Sequence, residues 1–203
     1  MGANNLQPDN YYWQQLRKGS APALEVLYDK YFPQLFRYGL HIIPHRSLVQ
    51  DTLQDFFVDL YTNHSSLSQV QQVQSYLFVC FRRKLTSHKK SFSPQINHRG
   101  NSYSPSFEEQ LIAEELEKKQ LNVLKETLLK LSDRQREAIY LRFHQEMSYE
   151  EIAEVLELKE VKYARTLIYR ALAELRQHMS KQSSSLTLYS TLPLLNRYMR
   201  NRK

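Results

Sequence analysis

Lys162, Tyr163, Arg165, Thr166, Tyr169 and Arg170 fall in one short run near the C-terminal end, interleaved with Val161, Ala164, Ile168, Ala171, Leu172 and Leu175. At helical spacing the apolar set makes one stripe and the cationic, hydroxyl and phenol set occupies the opposite face. A helix of that kind supplies donors for phosphates and base edges when it lies in the major groove of DNA. A second basic set is Arg82, Arg83, Lys84, Lys89 and Lys90, of which Arg82, Arg83, Lys89 and Lys90 lie off an apolar stripe formed by Val73, Tyr76, Leu77, Cys80, Phe81 and Leu85. Asp51, Gln54, Asp55 and Asp59 lie opposite Leu53, Phe56, Phe57 and Leu60, so one side of that helix should be buried and the other acidic and exposed. No residues assemble into a catalytic, cofactor-binding or metal site. His41, His45, His64, His88, His98, His144 and His178 are scattered without ligand spacing, and there is no Gly-rich phosphate loop or nucleophile elbow.

The elements that would position these sets are helices. Four glycines and seven prolines in 203 residues leave few of the turn residues that closely spaced strands need. A short helix over residues 10–18 ends at Gly19, and Ser20 with Pro22 starts the next, which Pro33 should bend or interrupt. Ser47 to Gln50 reads as a capping box that opens the acidic helix. Thr62 to Gln72 is polar and aperiodic, hence a loop, and the basic helix follows it. Another helix runs from Phe107 to about Lys130. Ser132 to Gln135 and Ser148 to Glu151 are two further capping boxes, and the final helix runs from Val161 to about Met179.

Ser148 to Arg176 therefore has the layout of a helix-turn-helix. Ala153 permits a close crossing, and Ile152, Leu156 and Leu158 supply the contacts that fix it. An amphipathic helix pair with a merely solvated basic face would share this pattern. The segregation of Glu150, Glu151 and Glu154 onto the first helix, with only Glu174 after Glu160, favours a DNA-reading pair. Two basic fields, one acid-free between Asp59 and Glu108 and one after Glu160 with Glu174 as its single acid, fit two nucleic-acid contacts in a chain of net charge +7.

The fold expected is all-α, with two small helical domains joined by a flexible linker. Residues 10–90 form the first domain, and the Ser-, Pro- and Asn-rich stretch 91–106 is the linker. Residues 107–180 form the helix-turn-helix domain, and 181–203 are an extension of unassigned role. Cys80 is the single cysteine, so no internal disulfide or cysteine zinc site is available. Without a signal peptide or a stretch of ~20 apolar residues, a cytoplasmic location without membrane insertion is expected.

Leu131 to Gln177, LSDRQREAIYLRFHQEMSYEEIAEVLELKEVKYARTLIYRALAELRQ, resembles the promoter-binding region 4 of sigma-70-family factors, above all the extracytoplasmic-function (ECF) group. LQDFFVDLY is similar to region 2.2, and SYLFVCFRRKL occupies the place of regions 2.3 and 2.4. Both parts stand in family order with a linker between them. Glu157 stands where the helix-turn-helix turn usually has Gly, and that turn counts one residue longer than usual without a Ser or Asn cap. Arg83 and Ser87 stand near places where the family often has Asn and Asp.

The resemblance implies an alternative RNA polymerase sigma factor that catalyses nothing itself and takes no cofactor or small-molecule substrate. Asp51, Gln54, Asp55 and Asp59 would dock on the beta-prime clamp region of the polymerase core. Arg82, Arg83, Lys84, Lys89 and Lys90, with the preceding loop, would meet the minus-ten element. Lys162, Tyr163, Arg165, Thr166, Tyr169 and Arg170 would meet the minus-thirty-five element beside the beta flap. An anti-sigma factor is a further partner that the resemblance leaves open. The alternatives are a stand-alone helix-turn-helix regulator, and a DNA strand-transfer enzyme to which Ser20 would contribute. The latter chemistry needs a sheet-containing domain that a helical N-terminal half does not offer.

Overall fold

In a computed structural model the chain divides into two compact units, Met1–Tyr103 and Ser104–Lys203. The structure describes residues 8–92, 115–182 and 195, and no strand occurs among them. Unit 1 contains α1 (Asp9–Arg17), α2 (Ala21–Ile42), α3 (Arg46–Thr62), a 3-10 turn (His64–Ser66) and α4 (Val73–Phe92). Unit 2 contains α5 (Glu115–Lys130), α6 (Asp133–Phe143), α7 (Tyr149–Val155) and α8 (Val161–Gln182).

In unit 1, α1 stops where Gly19 takes a φ of +88°, a conformation that costs glycine little. Ser20 is the N-cap of α2, its Oγ accepting from the Ala23 amide, and Pro22 occupies the first turn. That is a structural role for Ser20. α2 then runs unbroken past Pro33, so of the bend or interruption expected there the interruption does not occur. Proline removes one backbone donor and crowds the preceding turn. Here Leu27 and Tyr31 before it and Leu35 and Tyr38 after it are all buried, so packing holds the helix on both sides. The expected Ser47 capping box is also not what forms. His45 Nδ1 accepts from the Leu48 amide and α3 starts at Arg46, which leaves the Ser47 hydroxyl to donate to Asp51.

The core of unit 1 is aromatic: the ring centroids of Tyr38 and Phe78 lie 4.9 Å apart, and those of Phe56 and Phe81 5.8 Å. Gly39 of α2 lies against Val49 of α3 and Phe81 of α4. The loop after α3 is polar, as its sequence suggests, but α1 holds it. Trp13 Nε1–H donates to the Ser68 carbonyl at 3.0 Å, Arg17 Nε–H to that of Leu67 at 2.7 Å, and Asn10 to that of Gln71 at 3.2 Å. α4 continues through Phe92, so residues 91 and 92, read as the start of the linker, are helical. The rest of that stretch, 93–106, and the 107–114 part of the helix expected from Phe107 lie outside the described residues.

In unit 2 both capping boxes form. The Ser132 and Ser148 hydroxyls accept from the amides of Gln135 and Glu151, whose side chains in turn accept from the amides of Ser132 and Ser148. α8 continues to Gln182, and of the extension beyond it only Leu195, which is buried, is described.

Candidate functional site

The helix-turn-helix is built by α7 and α8. Ile152, Ala153, Val155 and Leu156 are buried on the first helix, and Ala164, Ile168, Ala171, Leu172 and Leu175 on the second. Leu158 and Val161 are only half-buried, so they contribute less to the crossing than the apolar pattern suggests. Between the helices Glu157 has a φ of +53°. Its amide donates to the Glu154 carbonyl at 3.1 Å and the Leu158 amide to that of Ala153 at 2.8 Å, which makes a Schellman cap. A non-glycine residue thus occupies the left-handed position that glycine would fill at lower cost. Arg134 of α6 closes the same helix end, donating to the Leu156 carbonyl at 2.9 Å. Gln135 of α6 donates to Glu174 of α8 at 2.8 Å.

Lys162, Tyr163, Arg165, Thr166, Tyr169 and Arg170 are all exposed on α8, as the periodicity requires, with Tyr169 at 63%. They are not equivalent. Lys162 pairs with Glu160 at 2.8 Å, and the Thr166 hydroxyl donates to the Lys162 carbonyl, which leaves its oxygen lone pairs as the polar function it presents. The Arg165 guanidinium sits 5.3 Å from the centre of the Tyr149 ring and 3.8 Å from Glu150 Oε1. Arg142 at the end of α6 sits 4.8 Å from the same ring while donating to the Met147 carbonyl at 2.7 Å. Sequence reasoning saw Tyr149 only as the residue after a cap. Its contacts with Arg142 and Arg165 depend on how α6 and α8 cross α7, and no local pattern reports that.

In unit 1, Asp51, Gln54, Asp55 and Asp59 are exposed on α3, and Val58, 62% exposed, lies among them. The acidic face therefore has an apolar centre that the sequence reading left out. Asp59 departs from its neighbours by pairing with Lys84 of α4, so one member of the acidic set touches one of the basic set. Arg83 is exposed and Arg82 half-buried. Lys89 and Lys90 lie on α4, with side chains outside the described residues. On the inner side of α4, burial pushes the Cys80 thiol above its ordinary range, against the opposing effects of a hydrogen bond from Tyr76 and the charge of Arg83. Tyr76 is pushed up to about 12, first by burial and then by Cys80. Among the described residues no group of acids, histidines or cysteine is placed to hold a metal, and no helix is long and apolar enough to cross a membrane.

Residues 121–175, most of α5 through the greater part of α8, match the family model described as sigma-70, region 4. The chain is also 27% identical over 167 residues to RNA polymerase sigma factor YlaC of Bacillus subtilis (strain 168), covering 78% of this chain and 93% of YlaC. Residues 121–175 are thus a sigma-70 region 4 segment. Two solved structures share the fold of this chain. CnrH, solved in complex with the cytosolic domain of CnrY, aligns with a TM-score of 0.61 at 23% identity over 86% of this chain and 99% of that one. The sigma factor RpoE of Bartonella quintana, solved with the anti-sigma factor NepR, gives 0.56 at 19% identity over 77% and 96%. The six exposed residues of α8 lie within the segment that matches region 4.

Proposed function

We propose that this chain is an alternative sigma factor of the ECF group, which gives bacterial RNA polymerase its promoter specificity and performs no chemical step itself. The observation that carries this reading is the capped helix-turn-helix that matches region 4, with its exposed donors on α8 facing away from an apolar stripe. In this reading α8 enters the major groove of the upstream promoter element. Lys162, Tyr163, Arg165 and Thr166, in its first turns, read sequence, and Tyr169 and Arg170 meet the backbone. Arg82, Arg83, Lys84, Lys89 and Lys90 of α4 contact the downstream element where the strands part. Unstacking a base costs a few kcal/mol, which contacts to the single strand must offset.

The core polymerase is taken by the α3 face. Asp51, Gln54 and Asp55 surround the exposed Val58, an apolar centre with a polar rim of the kind that protein interfaces use. Asp59 belongs to this face and reaches it only as its pair with Lys84 opens. The beta-prime clamp region and the beta flap are the polymerase parts assigned to units 1 and 2. An anti-sigma factor is a further proposed partner, since RpoE of Bartonella quintana was solved with one.

Co-elution of the full chain with purified core polymerase tests the assignment. The wild type should form a stoichiometric complex. Asp51→Lys with Asp55→Lys should weaken it by roughly tenfold or more at unchanged helical content, because like charges brought together cost several kcal/mol. DNA binding without core binding would make the chain a stand-alone regulator instead.

A further inference from the structure

We propose that Tyr149 is a positioning residue for Arg165, a stacking platform at the start of α7 that holds the guanidinium of α8 ready to read a base. The proposal rests on the reading of Arg165 as a promoter-contacting residue and adds what orients it. Two cations converge on this one ring. Arg142, 4.8 Å from its centre, is anchored by its bond to the Met147 carbonyl, whereas Arg165, 5.3 Å away, has among the described residues the ring and a 3.8 Å approach to Glu150. The Arg165 and Glu150 side chains are 56% and 61% exposed, so that ion pair is solvent-screened and weak.

The two contacts act on Arg165 in opposite ways. A carboxylate occupies N–H donors of the guanidinium, the same donors that a base edge would take. An aromatic face takes the flat side of the group and leaves the fork of N–H donors in its plane. That fork matches the O6 and N7 acceptors of guanine. Ring stacking therefore fixes direction without consuming donors, and it lowers the rotamer freedom that a long exposed side chain would lose on binding. Tyr149 is itself fixed, because its backbone follows the Ser148 cap and the Arg142 cation lies against its ring.

The test uses the full chain bound to core polymerase, with a pool of DNA duplexes randomised across the upstream element as the probe. Base preference at each position is read by sequencing the selected duplexes. Arg165→Ala identifies the position that this residue reads, expected to be a guanine. Tyr149→Leu, which fills similar space without a π face, should reduce discrimination at that position by about 2- to 5-fold, the equivalent of an exposed cation–π contact. All other positions should keep their preferences, and Tyr149→Phe should behave as wild type. In an Arg165→Ala background, Tyr149→Leu should have no further effect on specificity.

A selected pool unchanged by Arg165→Ala would refute the readout role of Arg165 and the platform with it. A pool changed by Arg165→Ala but not by Tyr149→Leu would overturn the platform alone. Equal loss at every position in Tyr149→Leu, with Tyr149→Phe equally impaired, would make Tyr149 a folding residue and also overturn the proposal.

Discussion

Replacing Gly39 by Ala adds a single methyl group where α2 lies against Val49 of α3 and Phe81 of α4. A Cβ there would sit 2.5 Å from Val49 Cγ1 and 3.2 Å from two ring carbons of Phe81. Carbon atoms prefer about 3.5 to 4.0 Å, so Val49 would have to withdraw by roughly 1 Å. Neither neighbour can do so freely, because both side chains are fully buried and a valine in a helix has one strongly preferred rotamer. Overpacking of this kind costs about 1 to 3 kcal/mol, and the upper part of that range applies here. Alanine is better than glycine inside a helix by about 1 kcal/mol. The net expectation is a loss of about 1 to 2 kcal/mol, despite the better helix former. Trp13 is the single tryptophan and is buried in unit 1, so its fluorescence during urea unfolding reports this unit alone. The urea midpoint should fall by about 1 M. Val49→Ala removes the clashing methyl group, so the double variant should be more stable than the two single losses predict, with a coupling of about 1 kcal/mol. A Gly39→Ala protein as stable as wild type by Trp13 fluorescence, or strict additivity with Val49→Ala, would show that the three helices do not meet as closely as described.

Arg165→Ala should cost about 1 to 3 kcal/mol on the preferred upstream element and relax specificity there. Arg170→Ala should instead weaken all sequences alike and reduce the salt slope by about 1, in titrations against matched and scrambled duplexes at two salt concentrations. Glu157→Gly should stabilise the helix-turn-helix by about 0.5 to 1 kcal/mol by relieving the left-handed backbone, less the entropy that glycine loses on folding. Slower hydrogen exchange at the Leu158 amide would register that gain, and faster exchange would contradict it. Because burial disfavours its thiolate, Cys80 should react with iodoacetamide at pH 8 more slowly in the native protein than in urea. Tyr76 holds its proton to about pH 12 when folded and to about 10 when unfolded. The folded state then binds more protons between those values, so unit 1 should lose stability as pH rises from about 10 towards 12, with no contribution from this group below.

The helices of both units were legible because their causes are local. Ser132 and Ser148 each cap a helix through a partner three residues on, and Gly19 ends α1 by its own backbone freedom. Amphipathic spacing likewise placed Ala164, Ile168, Ala171 and Leu175 inside and Lys162, Arg165 and Arg170 outside, since a side chain's direction on a helix follows from residue spacing alone. Where two local signals competed, the sequence could not arbitrate. Ser47 matched a cap pattern, but the turn after Ile43 put the His45 imidazole within reach of the Leu48 amide instead. Pro33 argued for a bend or a break, and with packing on either side the helix does not break.

The sequence by itself determined an all-helical chain, a region 4 helix-turn-helix and which face of each helix carries charge. Only the tertiary structure decided which side chains meet which partners: Asp59 with Lys84 across α3 and α4, the carbonyls of Leu67, Ser68 and Gln71 with side chains of α1, and Arg142 and Arg165 with Tyr149. Periodicity fixes the direction of a side chain relative to its own helix axis. Which partner lies in that direction depends on crossing angles and axial offsets, and those are set by the packing of many buried side chains at once.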